Sequence, residues 1–141
     1  MRTAQYAPEG SVRVVWVSGS AAERFSLEGG IEIDNLDYQI ERTPWEKYGA
    51  SKAGNILYAS EYARRYYAQG IVSVSLDPGN LKTDLYRHVS KWQKPAMSWV
   101  LKDPIIGAYT ELYAGLSHEI GLDNTGAWSK LSCPLMLQFD G

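Results

Sequence analysis

The chain has 141 residues, 45% hydrophobic and 21% charged, the proportions of an ordinary globular domain. Lys plus Arg number 14 and Asp plus Glu 16, a net charge of −2 with no basic run, which gives no footing for nucleic acid. A single cysteine excludes an intrachain disulfide framework and a multi-cysteine metal site. The apolar stretches are far shorter than the roughly 20 residues of a membrane span. The start, Met1-Arg2-Thr3-Ala4-Gln5, lacks the apolar core of a secretory signal, so a cytoplasmic protein is expected.

After a polar lead-in, Val12-Arg13-Val14-Val15-Trp16-Val17 is β-branched and almost continuously apolar, which predicts a strand buried on both faces in a parallel sheet. It breaks at Ser18-Gly19-Ser20, small residues of the kind that follow a strand where α/β proteins place ligands. Residues 23–43 predict an irregular connection. Thr43-Pro44-Trp45-Glu46 is a capping box with proline at the first helical position. It predicts a helix from about Pro44 to Gln69, terminated by Gly70. Ile71–Leu76 is a second strand, and strand, helix, strand makes a βαβ unit with parallel strands. Asp77-Pro78-Gly79 ends that strand. Residues 80–102 are a connection rich in large side chains, among them Leu85, Tyr86, Trp92, Met97, Trp99 and Val100, and are expected to pack the core or to cover substrate. Asp103-Pro104 starts another helix, expected to stop at Gly121, and residues 127–137 predict a last short strand broken by Pro134.

Tyr48 and Lys52 lie four apart near the start of the long helix and share a face. A free tyrosine has a pKa of about 10 and is a poor proton shuttle at neutral pH, whereas a nearby cation favours the phenolate. On its own the pair reads as a surface tyrosine beside a solvated lysine, Ser20 as a turn serine, and Pro78-Gly79 as a generic turn. His88 and His118 have no partner constellation and are expected at the surface, and Cys133 in the core or tail.

Three segments in order narrow these alternatives. Tyr48-Gly49-Ala50-Ser51-Lys52-Ala53 resembles the active-site helix of the short-chain dehydrogenase/reductase family. Val15-Trp16-Val17-Ser18-Gly19-Ser20 is similar to its catalytic-serine strand, and Leu76-Asp77-Pro78-Gly79-Asn80-Leu81-Lys82-Thr83 to its nicotinamide loop. The long insert between Ser20 and Tyr48 most resembles the retinol-dehydrogenase-like branch. The resemblance implies Tyr48 as general acid in reduction and general base in oxidation. Lys52 would tune Tyr48 and hold the nicotinamide ribose, and Ser20, the later serine of its pair, would bind the substrate oxygen. Pro78, Gly79, Leu81 and Thr83 would wall the nicotinamide. The implied cofactor is NAD or NADP and the substrate a small alcohol or carbonyl compound, with no metal.

The family's glycine-rich first βαβ unit has no counterpart. Gly29-Gly30 follows no buried strand, and the residue that selects NAD over NADP is absent with that unit. The expected fold is therefore α/β, the C-terminal half of a Rossmann-like doubly wound parallel sheet, with residues 1–141 as one partial domain. The expected function is a truncated oxidoreductase, inactive alone. The edge at Val12–Val17 would be unpaired and prone to homo-oligomer formation. The alternative is a catalytically silent fragment that binds or oligomerises through that edge, and cofactor binding separates the two. Sugar-nucleotide epimerases also use Tyr-x-x-x-Lys, but the Pro78-Gly79 loop with Thr83 favours the dehydrogenases.

Overall fold

The structure, a computed structural model, describes residues 2–82 and 101–129. Thr83, His88, Cys133, Pro134 and the aromatic-rich stretch 83–100 lie outside them. Strands β1 (Val12–Val17) and β2 (Ile71–Leu76) pair in parallel, from Val12 opposite Ile71 to Val17 opposite Leu76. A short β3 (Trp128–Ser129) pairs in parallel with the other side of β2, giving the order β1-β2-β3. The expected parallel α/β arrangement is present. Of the last strand, the described residues hold only Trp128–Ser129.

A five-residue helix, α1 (Ala21–Phe25), lies where an irregular connection was expected. The long helix α2 spans Pro44–Tyr66. Its start follows from the capping box. The Thr43 hydroxyl accepts from the Glu46 amide at 3.3 Å, and the Glu46 carboxylate accepts from the Thr43 amide at 2.8 Å. Its end differs from expectation: the last turn, Tyr67–Gln69, tightens to a 3-10 helix before Gly70 turns left-handed at φ 67°. The third helix, α3 (Pro104–Leu116), starts where the Asp103 carboxylate accepts from the Ile105 amide at 3.0 Å. It stops at Leu116 rather than Gly121, because Ser117 is already extended at ψ 137°. Gly121 instead opens the single turn Leu122–Asn124.

Side chains alternate across a strand, and the two long helices use the two faces. On one face Val72, Val74 and Leu76 form a core with Ala114 and Ile120, joined by Val15 and Tyr113. On the other, the Trp16 indole donates to the Ser73 hydroxyl at 3.0 Å, and that hydroxyl donates to the Ala59 carbonyl of α2 at 2.9 Å. β2 is buried along its whole length, but β1 is only half-buried, against the expectation of burial on both faces. The reason is position: among the described residues β1 has a strand on one side only. Trp16 covers the α2 side by stacking on Tyr58 at 5.6 Å and meeting Tyr62 edge-on at 6.0 Å.

The connection leaving β2 is tied at its ends. Leu81 and Lys102 form a parallel bridge, with the Lys82 amide donating to the Lys102 carbonyl at 2.9 Å and the Lys102 amide to the Asn80 carbonyl at 2.7 Å.

Candidate active site

Parallel pairing in this register brings the carboxyl ends of β1 and β2 side by side at Val17 and Leu76. The Ser18 amide extends the ladder, donating to the Leu76 carbonyl at 2.8 Å. The buried Ser18 hydroxyl then donates to the Lys52 backbone carbonyl at 2.7 Å, which stitches the strand end to α2. Ser18 is thereby occupied in holding the scaffold.

Ser20 follows, half-buried, immediately before α1, and its side chain makes no cap bond. α1 is set against α2 by a close backbone approach at Gly49. A Cβ there would lie 2.5 Å from the Ser26 nitrogen, 2.6 Å from the Phe25 carbonyl carbon and 2.9 Å from the Ala21 oxygen. The glycine beside Tyr48 is thus what lets the segment that carries Ser20 lie on the helix that carries Tyr48.

Tyr48 and Lys52 share one face of α2, with the Lys52 ammonium 5.7 Å from the Tyr48 ring centroid. The ammonium also reaches the Val17 carbonyl at 3.3 Å, which places the pair at the end of β1. Tyr48 is half-buried and meets Trp45 edge-on at 6.4 Å, and Trp45 packs on Phe25 of α1 at 5.1 Å. Phe25, Trp45 and Tyr48 form an aromatic row in which Phe25 and Trp45 remain exposed.

At the end of β2, the Asp77 carboxylate accepts from the Gly79 amide at 2.9 Å, folding Asp77-Pro78-Gly79 into a tight turn with Gly79 at φ +85°. A Cβ at Gly19 would stand 3.9 Å from that carboxylate, so the two strand-end turns face each other. Among the described residues no atom lies within 4 Å of a Cβ built on Gly79. Leu81 packs on Gly107 of α3. The structure therefore brings Tyr48 and Lys52 to the strand end that leads into Ser20, with Pro78 and Gly79 on the neighbouring strand, whereas the Leu81 side chain is engaged with α3. One neighbour of the pair escaped the sequence reading: the Asn55 amide donates to the Val17 carbonyl at 2.8 Å. Its signal was there, since 48, 52 and 55 follow one helical stripe.

The insert between α1 and α2 is held by its own ion pair. Glu32 takes two bonds from Arg42, at 2.6 and 3.1 Å, and one from the Asn35 amide at 2.7 Å. Those bonds, Arg42 first, hold the Glu32 carboxyl below the usual carboxylate range.

The residues present fit the nicotinamide-ribose end of a dinucleotide. An ammonium carries three donors, and Lys52 directs a bond to one carbonyl among the described residues. Among the described residues nothing crowds the Gly79 backbone. Among the described residues there is no cluster of His, Cys, Asp and Glu able to hold a metal, and no helix is long and apolar enough to cross a membrane.

Known proteins agree with this α/β fold. A short-chain dehydrogenase/reductase of Phaeosphaeria nodorum is 48% identical over 129 residues, covering 91% of this chain and 41% of the relative. One from Phomopsis amygdali is 49% identical over 123 residues, covering 85% of this chain and 36% of the relative. No protein-family model matches. Among solved structures, a carbonyl reductase of Drosophila melanogaster, Sniffer, superposes with a TM-score of 0.54 at 16% identity, over 90% of this chain and 42% of that one, a likeness of fold. The class these strands and helices define is a parallel α/β protein of Rossmann type. Similarity to several relatives over most of its length supports the short-chain dehydrogenase/reductase family for this chain. It spans about two-fifths of the length of the curated relatives it matches.

Proposed function

We propose that this chain carries the acid–base half of an NAD(P)-dependent oxidoreductase site that interconverts small alcohols and carbonyl compounds. The observation that carries the reading is Tyr48 and Lys52 stacked on one face of α2 at the carboxyl end of β1. When bound, the nicotinamide supplies or accepts the hydride. Tyr48 gives its hydroxyl proton to the carbonyl oxygen in reduction and takes it back in oxidation. The Lys52 ammonium favours the phenolate and holds the nicotinamide ribose. The Ser20 hydroxyl donates to the substrate oxygen and orients it. Pro78 and Gly79 flank the nicotinamide. Phe25 and Trp45, exposed beside Tyr48, favour an apolar substituent on the carbonyl carbon.

In this reading residues 1–141 are one part of a Rossmann-like domain, in the retinol-dehydrogenase-like branch of the family. They supply contacts to the nicotinamide end only, so the chain by itself binds cofactor weakly and turns over little. The open outer edge of β1 among the described residues favours a second reading, a silent partner that pairs through that edge. Calorimetric titration of the 141-residue chain with NADH and NADPH, together with light scattering, tests the first point. Binding tighter than about −8 kcal/mol by a monomer would contradict it.

The chemistry is tested by a chimera in which this chain replaces the matching segment of the Phaeosphaeria nodorum relative. The chimera should reduce carbonyl compounds with NADH or NADPH, and Tyr48→Phe should lower kcat by about 10²-fold or more with cofactor Kd nearly intact. Unchanged turnover would reject the acid–base role. An inactive but folded chimera would favour the silent partner.

A further inference from the structure

We infer that Asn55 is a positioning residue: by occupying the strand-end carbonyl that both side chains reach, it leaves the Lys52 ammonium available to Tyr48 and to a ribose. The inference rests on the role proposed above for Lys52.

The argument begins at the peptide unit between Val17 and Ser18. Its amide donates to Leu76 on β2, so in a trans planar peptide its carbonyl points the opposite way, off the outer edge of β1. No strand of the described residues pairs there, and a backbone carbonyl needs a partner. Two side chains of α2 supply it. The Asn55 amide stands at 2.8 Å, within the usual range for such a bond, and the Lys52 ammonium at 3.3 Å, just beyond it. The neutral amide is therefore the principal donor, and the charged group lies alongside with donors to spare.

That order is opposite to intrinsic strength. Bonds from ionised donors are about twice as strong as neutral ones, so an ammonium left alone with this carbonyl would close on it. The lysine stem is flexible enough to do so. Its backbone is not free to compensate, because the Ser18 hydroxyl fixes the Lys52 carbonyl at 2.7 Å. The amide at 55 thus decides whether the ammonium rests on the strand end or stands off it, toward the Tyr48 ring 5.7 Å away. A carboxylate at 55 would fail twice, by repelling the carbonyl and by pairing with the ammonium.

Nitrogen NMR of the lysine ammonium groups in the 141-residue chain tests this, with the Lys52 signal assigned by its loss in Lys52→Arg. In the unaltered protein, coupling through the hydrogen bond to the Val17 carbonyl carbon should come from the Asn55 amide and exceed that from Lys52. A larger Lys52 coupling overturns the inference without any variant. In Asn55→Ala the Lys52 coupling should appear and its proton exchange slow by about fivefold, the factor a hydrogen bond of ordinary net strength contributes. Asn55→Gln, which keeps the amide, should restore most of the original exchange rate. A Lys52 signal that does not move in Asn55→Ala overturns the inference, whereas a merely structural asparagine would alter stability and leave that signal in place. None of these readouts uses a nucleotide. A chimera whose turnover is unchanged by Tyr48→Phe therefore strikes the functional reading, and an unmoved Lys52 signal strikes the role of Asn55.

Discussion

Gly49→Ala puts a methyl group where the α1 backbone lies. The new Cβ would sit 2.5 Å from the Ser26 nitrogen, 2.6 Å from the Phe25 carbonyl carbon and 2.9 Å from the Ala21 oxygen. Carbon atoms in contact prefer about 3.5–4.0 Å, so a shift of roughly 1 Å is required. All three obstacles are main-chain atoms, and no rotamer change relieves them. Overpacking costs about 1–3 kcal/mol, and a rigid obstacle sets the cost near the upper end. Alanine returns about 1 kcal/mol in helix propensity. The net loss is about 2 kcal/mol, or roughly 6 °C in Tm for a chain of this size. Gly115→Ala is the internal control, because no atom of the described residues lies within 4 Å of its Cβ and only the propensity gain, up to about 1 kcal/mol, remains. Thermal melts of both variants, with amide shifts of Ala21–Ser26, decide the matter. A Gly49→Ala protein as stable as the original, with α1 shifts unchanged, would refute the reasoning and with it the account of how α1 is set against α2.

Gly70→Ala should cost about 1–2 kcal/mol for a left-handed non-glycine residue, and more because its Cβ meets Glu9 Cγ at 2.8 Å. An unchanged urea midpoint would contradict this. Hydrogen bonds from Arg64 and then Arg65 hold the Glu61 carboxyl down to about 2 from its usual 4.5. Its pKa is lowered in the folded state, so its contribution is present above 4.5 and is lost as pH falls through that window toward 2. The Tm difference between the original protein and Glu61→Gln should accordingly shrink across that window, and a constant difference would rule the ion pairs out as a source of acid sensitivity. In the chimera, Trp45→Ala should raise KM for aromatic ketones more than for small aliphatic ones, and equal changes would remove Trp45 from the substrate side of Tyr48.

What could be read in the sequence is what is encoded locally. Thr43, Pro44 and Glu46 contain their own bonding partners within one turn, and Gly70 announces a backbone angle that few other residues adopt. The apolar runs of β1 and β2 follow the same logic, and a helix of fitting length between them makes parallel pairing the natural outcome. The missed features are non-local. Gly49 is uninformative until α1 arrives against it, and α1 is too short to show a helical period. Ser18 looked like a spare serine because its partner is a main-chain oxygen 34 residues away. Asn55 points at a carbonyl whose freedom depends on which edge of β1 lacks a neighbour. The degree to which β1 is buried depends on that same edge, which no periodicity within Val12–Val17 encodes.

The bridge between Leu81 and Lys102 divides the chain into parts that can evolve at different rates. Two backbone bonds close a loop there, and Leu81 fastens one side of it to Gly107 of α3. The strands and α3 then see only the knot, not the number of residues that lie beyond it. Doubling the length of a closed loop costs only about 0.6 kcal/mol, so insertions and deletions between the two tied residues carry little penalty for the sheet. A lineage built on this scaffold can vary the length of chain between the two tied residues while β1, β2 and α2 keep the register and hydrogen bonds that join them.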